Sequence, residues 1–254
     1  MFSFREVLSA VQAYGKAHRF ITQNKLWKWI LIPGIIYCIL FVLGVYFVWG
    51  YSGDFVNYVT KLLHITDWVQ DLESSWVSFL FILVGFSVQV IFVYWYFSYF
   101  KYLFLIVASP VFSYLSEKTE AILDHKDFPF SWTQLGQDIL RGIKMSCRNI
   151  VYQTGAILIL LLVSFIPVVG WLTPMIGFFI EAYFFGFSMM DYSCERHRLN
   201  MSQSINFIRQ HRGMALGNGM VFYVFMLIPV IGWMLAPSYA VIAATIDLQH
   251  KRLK

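Results

Sequence analysis

Hydrophobic positions in this chain come in long blocks separated by short polar segments. Trp29 to Tyr51 is a run of 23 residues without a formal charge. It is long enough to cross a ~30 Å hydrocarbon core with some tilt. Pro33-Gly34 predicts a kink near its start. Trp76 to Ser109 spans 34 residues with Lys101 as its one charge. At ~1.5 Å per residue this block exceeds the bilayer, so one end should project into water. Lys101 can then reach the headgroups on its flexible stem.

Two further blocks, about 150–190 and 214–247, are broken in their middles by nearly the same heptapeptide. Phe165-Ile166-Pro167-Val168-Val169-Gly170-Trp171 and Leu227-Ile228-Pro229-Val230-Ile231-Gly232-Trp233 agree at five of seven positions. A second proline follows each, Pro174 or Pro237. Proline removes a backbone donor and clashes with the preceding turn, while glycine permits tight reversals. Each block is therefore expected to fold back as a helical hairpin. In the second, Ser238 to Ile246 offers only ~14 Å of helix, and Gly217-Asn218-Gly219 is expected to cut the first arm. That hairpin should only part-penetrate a membrane. In the first, Asn149 to Ile166 and Met175 to Met190 come to ~24–27 Å each, just enough to span. Irregular backbone at membrane depth must be packed in protein or line a wet cavity. Paired broken segments in corresponding places point to a transport site. The pore or hairpin candidates are Pro167, Gly170, Pro174, Glu181, Pro229, Gly232 and Pro237.

Composition agrees with an all-α integral membrane protein. Hydrophobic residues make up 59% and charged residues 13%, against ~25% charged in soluble domains. Mean hydropathy is +0.63. Aromatics at 19% suit a chain with many rings at membrane interfaces.

Charge placement predicts orientation. Of the 19 basic residues, 17 fall in residues 1–28, 110–149, 191–212 and the tail. By the positive-inside rule these segments and both termini are cytoplasmic. Residues 52–75 carry Lys61 against Asp54, Asp67, Asp71 and Glu73, which places them outside. The chain then reads as one membrane domain: an entry region 1–28, two transmembrane helices in 29–109, cytoplasmic helices in 110–149, hairpin one in 150–190, a cytoplasmic helix in 191–213, and hairpin two with the tail in 214–254. The first apolar run starts late and is too long for a signal peptide, so it reads as an uncleaved anchor.

The polar segments predict further helices. Residues 3–21 read as an interfacial helix, with Ser3 and Glu6 at capping-box spacing and Phe4, Val7, Val11, Tyr14 and Ile21 near one face. A surface anchor or a gate would suit that pattern. Ser109-Pro110 marks a helix start, running to about Asp124. Ser131, with Gln134 three residues on, marks another. On that helix Arg141, Lys144 and Arg148 share a face. They suit lipid headgroups or the gathering of anions at a vestibule. A helix at about 202–212 places Arg209 and Arg212 near its C-terminal end, where the dipole favours cations. Glu181, inside an apolar arm, suits ion coupling or a structural hydrogen bond. Asp191 and Asp247 are expected to pair with basic neighbours.

No enzyme constellation is visible. Cys38, Cys147 and Cys194 show no disulfide framework or metal spacing. No glycine-rich phosphate loop is present, so no nucleotide-driven transport by this chain alone is expected. Cofactors, metals and nucleic-acid partners are not expected.

The order of motifs resembles the CysZ sulfate permeases, within the wider etoposide-induced protein 2.4 family. Trp29-Ile30-Leu31-Ile32-Pro33 is similar to that family's aromatic-aliphatic-Pro entry. Ala108-Ser109-Pro110 with Glu117 and Glu120 resembles its Ala-x-Pro stretch and paired glutamates. Phe165-Ile166-Pro167, Gly170 and Pro174 resemble its hairpin turn, and Asp191-Tyr192 with His197 its Asp-Tyr-Pro segment. The resemblance implies two full spans, two part-penetrating hairpins, a homo-oligomer in the cell inner membrane, and sulfate import for cysteine synthesis. It also implies an anion contact just before the first span. There the family tends to carry adjacent arginines, whereas this chain has Lys25-Leu26-Trp27-Lys28. Lysine supplies charge without arginine's bidentate fork. Val168 stands for a turn glycine and Ser193 for a proline. The candidate anion-binding set is Lys25, Lys28, Arg141, Lys144 and Arg148. The expected partners are sulfate or a similar small anion, and membrane lipids. The alternative function is a non-transporting membrane protein that organises lipids or partner proteins.

Overall fold

The computed structural model describes residues 3–62, 75–125, 132–166, 169–196 and 199–252. Its α-helices are α1 (Phe4–Gln23), α2 (Trp27–Leu62), α3 (Ser75–Asp124), α4 (Trp132–Ser164), α5 (Thr173–Arg196), α6 (Met201–Gln210), α7 (Arg212–Met226) and α8 (Ile231–Arg252). No strand occurs among the described residues. Among the described residues five segments are long and apolar enough to cross a membrane: Trp27–Tyr51, Tyr99–Asp124, Gly136–Ser164, Val169–Glu195 and Ile231–Gln249. The protein is an all-α integral membrane protein.

Both predicted hairpins fold back where the repeated heptapeptides lie. Between α4 and α5 the chain reverses through a 3₁₀ turn, Val169–Leu172. Between α7 and α8 it reverses through Leu227 to Val230, with Val230 at φ 62°. That φ is left-handed backbone, which a β-branched residue seldom adopts. The glycine of each heptapeptide is required by space. A Cβ on Gly170 would overlap the carbonyl oxygen of Ser164, and one on Gly232 would overlap that of Phe225. Pro174 sits at the second position of α5, where its missing N–H costs nothing. Pro167 lies outside the described residues.

Several expected breaks are absent. α3 runs through Ser109-Pro110 without a new start. Phe104, Leu105, Ala108, Phe112 and Leu115 are buried around the proline, and that packing holds one continuous axis. α8 likewise carries Pro237 inside it. α7 runs unbroken through Gly217-Asn218-Gly219. Those glycines serve packing instead. A Cβ on Gly219 would overlap the carbonyl oxygen of Ala182, and one on Gly186 that of Ala215. So α5 and α7 meet backbone to backbone, as helices in membranes do through small residues. Phe185 stacks on Phe222 beside this contact, with ring centroids 3.6 Å apart. The last polar helix also differs from expectation. α6 ends at Gln210, and Arg212 opens α7. The start expected at Ser131 lies outside the described residues.

The chain packs as two compact units, Met1–Cys38 with Tyr102–Lys254, and Ile39–Lys101. In the smaller unit Tyr96 donates to the carbonyl of Phe41 at 3.1 Å. The larger unit holds both hairpins. Here α1 is more than a surface anchor. Val7, Ala10, Ala13, Tyr14, Ala17, Phe20 and Ile21 are buried, whereas Phe4 and Val11 are exposed. The Tyr14 hydroxyl donates to the carbonyl of Asn218 at 2.8 Å. Burial pushes that phenol well above its ordinary range, which keeps the donor protonated. Ser9 bonds Asp247, and the expected capping box does not form. The Glu6 carboxylate instead bonds His211 Nδ1 at 2.7 Å. α1 thereby latches onto the start of α7 and the end of α8.

Candidate anion site

Arg141 and Arg148 stand two turns apart on α4, and the structure gives them different work. Arg141 is consumed by a clamp. Its Nη2 donates to Asp191 Oδ1 at 2.8 Å and to Ser204 Oγ at 2.6 Å. Nη1 donates to the carbonyl of Leu199 at 2.5 Å, and Nε lies 3.8 Å from Glu195 Oε1. One guanidinium thus ties α4 to the end of α5 and to α6. Asp191 was expected to pair with a basic neighbour, and its partner is Arg141, 50 positions away.

Arg148 faces a cleft of ≈350 Å³ lined by Arg148 and Tyr152 of α4, Tyr183, Phe184 and Phe187 of α5, Arg209 of α6 and Arg212 of α7. Its guanidinium stands 4.7 Å from the Tyr152 ring centroid and 5.1 Å from that of Phe187. These rings orient the flat cation by cation–π attraction. One of its five donors goes to Asn149 Oδ1, at 2.7 Å. Arg212 Nε donates to the carbonyl of Arg209 at 3.1 Å.

A polar path continues from this wall between the hairpin arms. Asn149 Nδ2 donates to Ser188 Oγ at 3.1 Å. One turn further along α4, the buried Gln153 donates to Glu181 Oε1 at 2.7 Å and accepts from Tyr102 at 2.5 Å. Tyr223 donates to the other Glu181 oxygen at 3.2 Å. Helices α4 and α7 thus bond the part-buried α5 carboxylate directly, and α3 reaches it through Gln153, which compensates its partial removal from water.

The remaining predicted residues lie elsewhere. Lys25 sits at φ 52° in the turn between α1 and α2, and Lys28 lies in the first turn of α2. Both are exposed, as is Lys144 on α4. None of the three lines the cleft. Pro229 is exposed in its turn, and Gly232 is buried. Among the described residues no cluster of side chains could hold a metal ion.

The profile of the family described as sulfate transporter CysZ/Etoposide-induced protein 2.4 matches residues 13–237. The chain belongs to this family. The match takes in the second half of α1, the whole of α2 to α7 and the start of α8, and so covers hairpin one and the first arm and turn of hairpin two. Its relatives include a protein named sulfate transporter CysZ of Pseudomonas aeruginosa, 27% identical over 94% of each chain. A protein of the same name from Pseudomonas fluorescens is 28% identical over 97% of this chain and 95% of its own. A third, from Pectobacterium atrosepticum, is 27% identical over 93% and 83%.

Sequence reasoning did not gather Arg209 and Arg212 among the candidate anion-binding residues. Both looked like cations at the favourable end of one helix. The signal that separates them is the Gln210-His211 boundary, which leaves Arg212 at the start of the next helix.

Proposed function

We propose that this protein is a membrane permease or channel for sulfate or a related oxyanion and supplies cytoplasmic sulfur assimilation. The observation that carries this reading is the family match across residues 13–237, with relatives named sulfate transporter CysZ along nearly their full length. The geometry agrees in kind. Polar groups converge between the arms of hairpin one, and exposed cations stand at the turn before the first long helix. There Lys25 and Lys28 flank the start of α2, where unpaired backbone N–H groups and the helix dipole attract anions. In this reading Lys25 and Lys28 contact the anion, Lys144 and Arg148 raise the local anion concentration, and Arg141 holds the frame.

The basic bias supports cytoplasmic termini in a bacterial inner membrane. Hairpin two is read as part-penetrating. Its first arm, α7, has 15 residues, or ~22 Å of helix, short of a ~30 Å core. The apolar window of its second arm is 78% buried in protein, against 17% for that of α4, so α8 is sheathed by this chain and α4 is left open to lipid or a second copy. The role is transport rather than catalysis, in a homo-oligomer as the family resemblance implies. Sulfate entry into liposomes that hold only this protein tests the reading.

A further inference from the structure

We propose that the cleft between Arg148, Arg209 and Arg212 is a second anion site, one that takes a tetrahedral oxyanion group, sulfate or phosphate. It is separate from Lys25 and Lys28, and neither lysine lines it. Three guanidiniums from α4, α6 and α7 share one cleft with two tyrosines, and no carboxylate is among the described residues of its wall. Among the described residues none of the three arginines forms an ion pair. Arg141 is the contrast within the same helix, since two carboxylates stand against it. Asp191, the carboxylate that acts on Arg148, is already bonded to Arg141. The like charges in the cleft repel one another, and a bound dianion reverses the sign of that interaction.

The helix geometry adds to this. Arg212 opens α7, and a cation at a helix N-terminus faces the positive end of the dipole. His211 provides no side-chain cap there. Glu6 approaches that end from α1 and is bonded to His211. An anion in the cleft would compensate Arg212, which lines it.

The chemistry fits an oxyanion. Arginine's planar fork matches sulfate and phosphate oxygens in a bidentate way. Arg148 is pre-oriented by Tyr152 and Phe187, so little entropy remains to be lost on binding. Tyr152 and Tyr183 bring further hydroxyl donors to the wall. A cleft of ≈350 Å³ admits the anion together with several waters at ~30 Å³ each. The same chemistry is supplied by a free anion or by the phosphate of an acidic lipid.

The test uses the full chain, purified in a neutral detergent and washed free of lipid. Wild type and Arg209→Gln/Arg212→Gln are titrated with sodium sulfate and with sodium phosphate by calorimetry. Retention of phosphatidic acid, with phosphatidylcholine as control, is read by native mass spectrometry. The expected result is a loss of tenfold or more in affinity, about 1.4 kcal/mol, at unchanged thermal unfolding. Loss in the sulfate or phosphate titration makes the occupant a free anion, and loss confined to phosphatidic acid makes it a lipid headgroup. Unchanged binding of all three ligands overturns the site. If the double variant does not fold, phenylglyoxal labelling of the wild-type protein decides. Protection of Arg209 and Arg212 by these ligands supports the site, and equal labelling with and without them overturns it. A protein that binds here and moves no sulfate into liposomes would keep this site and lose the permease reading.

Discussion

Two arginines on one helix face show how little a side chain's type says about its role. Arg141 carries two carboxylates and two further acceptors, while Arg148 lies between rings and faces other cations. The Arg141–Asp191 pair is nearly buried, with side chains 16% and 7% exposed. Breaking such a pair leaves an uncompensated buried charge and costs about 3–5 kcal/mol. Arg141→Met should therefore lower the unfolding temperature sharply, and adding Asp191→Asn should recover part of the loss. A single variant as stable as wild type would show that the clamp does not hold α4 to α6. Lys25 and Lys28 make the opposite case, since both are exposed and serve a ligand in the permease reading. Replacing both with glutamine should weaken sulfate binding tenfold or more in calorimetry, as expected when a charge-assisted bond of about 1.5–3 kcal/mol is lost. Unchanged affinity in the folded double variant would leave them as headgroup anchors.

At the level of elements, glycine decides where helices turn and where they touch. Gly232 lies against the carbonyl of Phe225, so Gly232→Leu should disrupt hairpin two and disperse the protein into mixed oligomers on size-exclusion chromatography. Gly15 on α1 meets nothing within 4 Å, and Gly15→Ala should gain about 0.5–1 kcal/mol from helix propensity alone. If the two substitutions behave alike, steric crowding at the turn is not what fixes it. The same residues explain what the sequence made legible. The hairpin turns could be read because proline and glycine recur together in two aligned heptapeptides. The break expected at Gly217-Asn218-Gly219 was misplaced because glycine also permits close helix contact, and its partner, Ala182, lies far away in sequence. Pro110 and Pro237 misled for a related reason: tertiary packing holds a helix through a proline that local propensity would end it at. The face of α1 was only partly legible, because its small alanines pack inward while Phe4 and Val11 do not. The arginine cleft was hidden by distance, since its cations come from three helices.

At the scale of the whole molecule, charge asymmetry and broken hairpins support one arrangement in the membrane. Single cysteines placed at position 61 should react with an impermeant thiol reagent added from outside, and those at 252 should not. Position 252 reacting from outside in intact cells would break the hairpin topology, because the basic segments between the apolar blocks would no longer share a side. The central claim is movement of an oxyanion through this fold. The direct measurement is radiolabelled sulfate entry into liposomes reconstituted with the purified protein alone. Entry well above that of protein-free liposomes is expected, suppressed by excess unlabelled sulfate and reduced by the Lys25→Gln/Lys28→Gln variant. Entry no faster than in protein-free liposomes, with folded and correctly inserted protein, would contradict it.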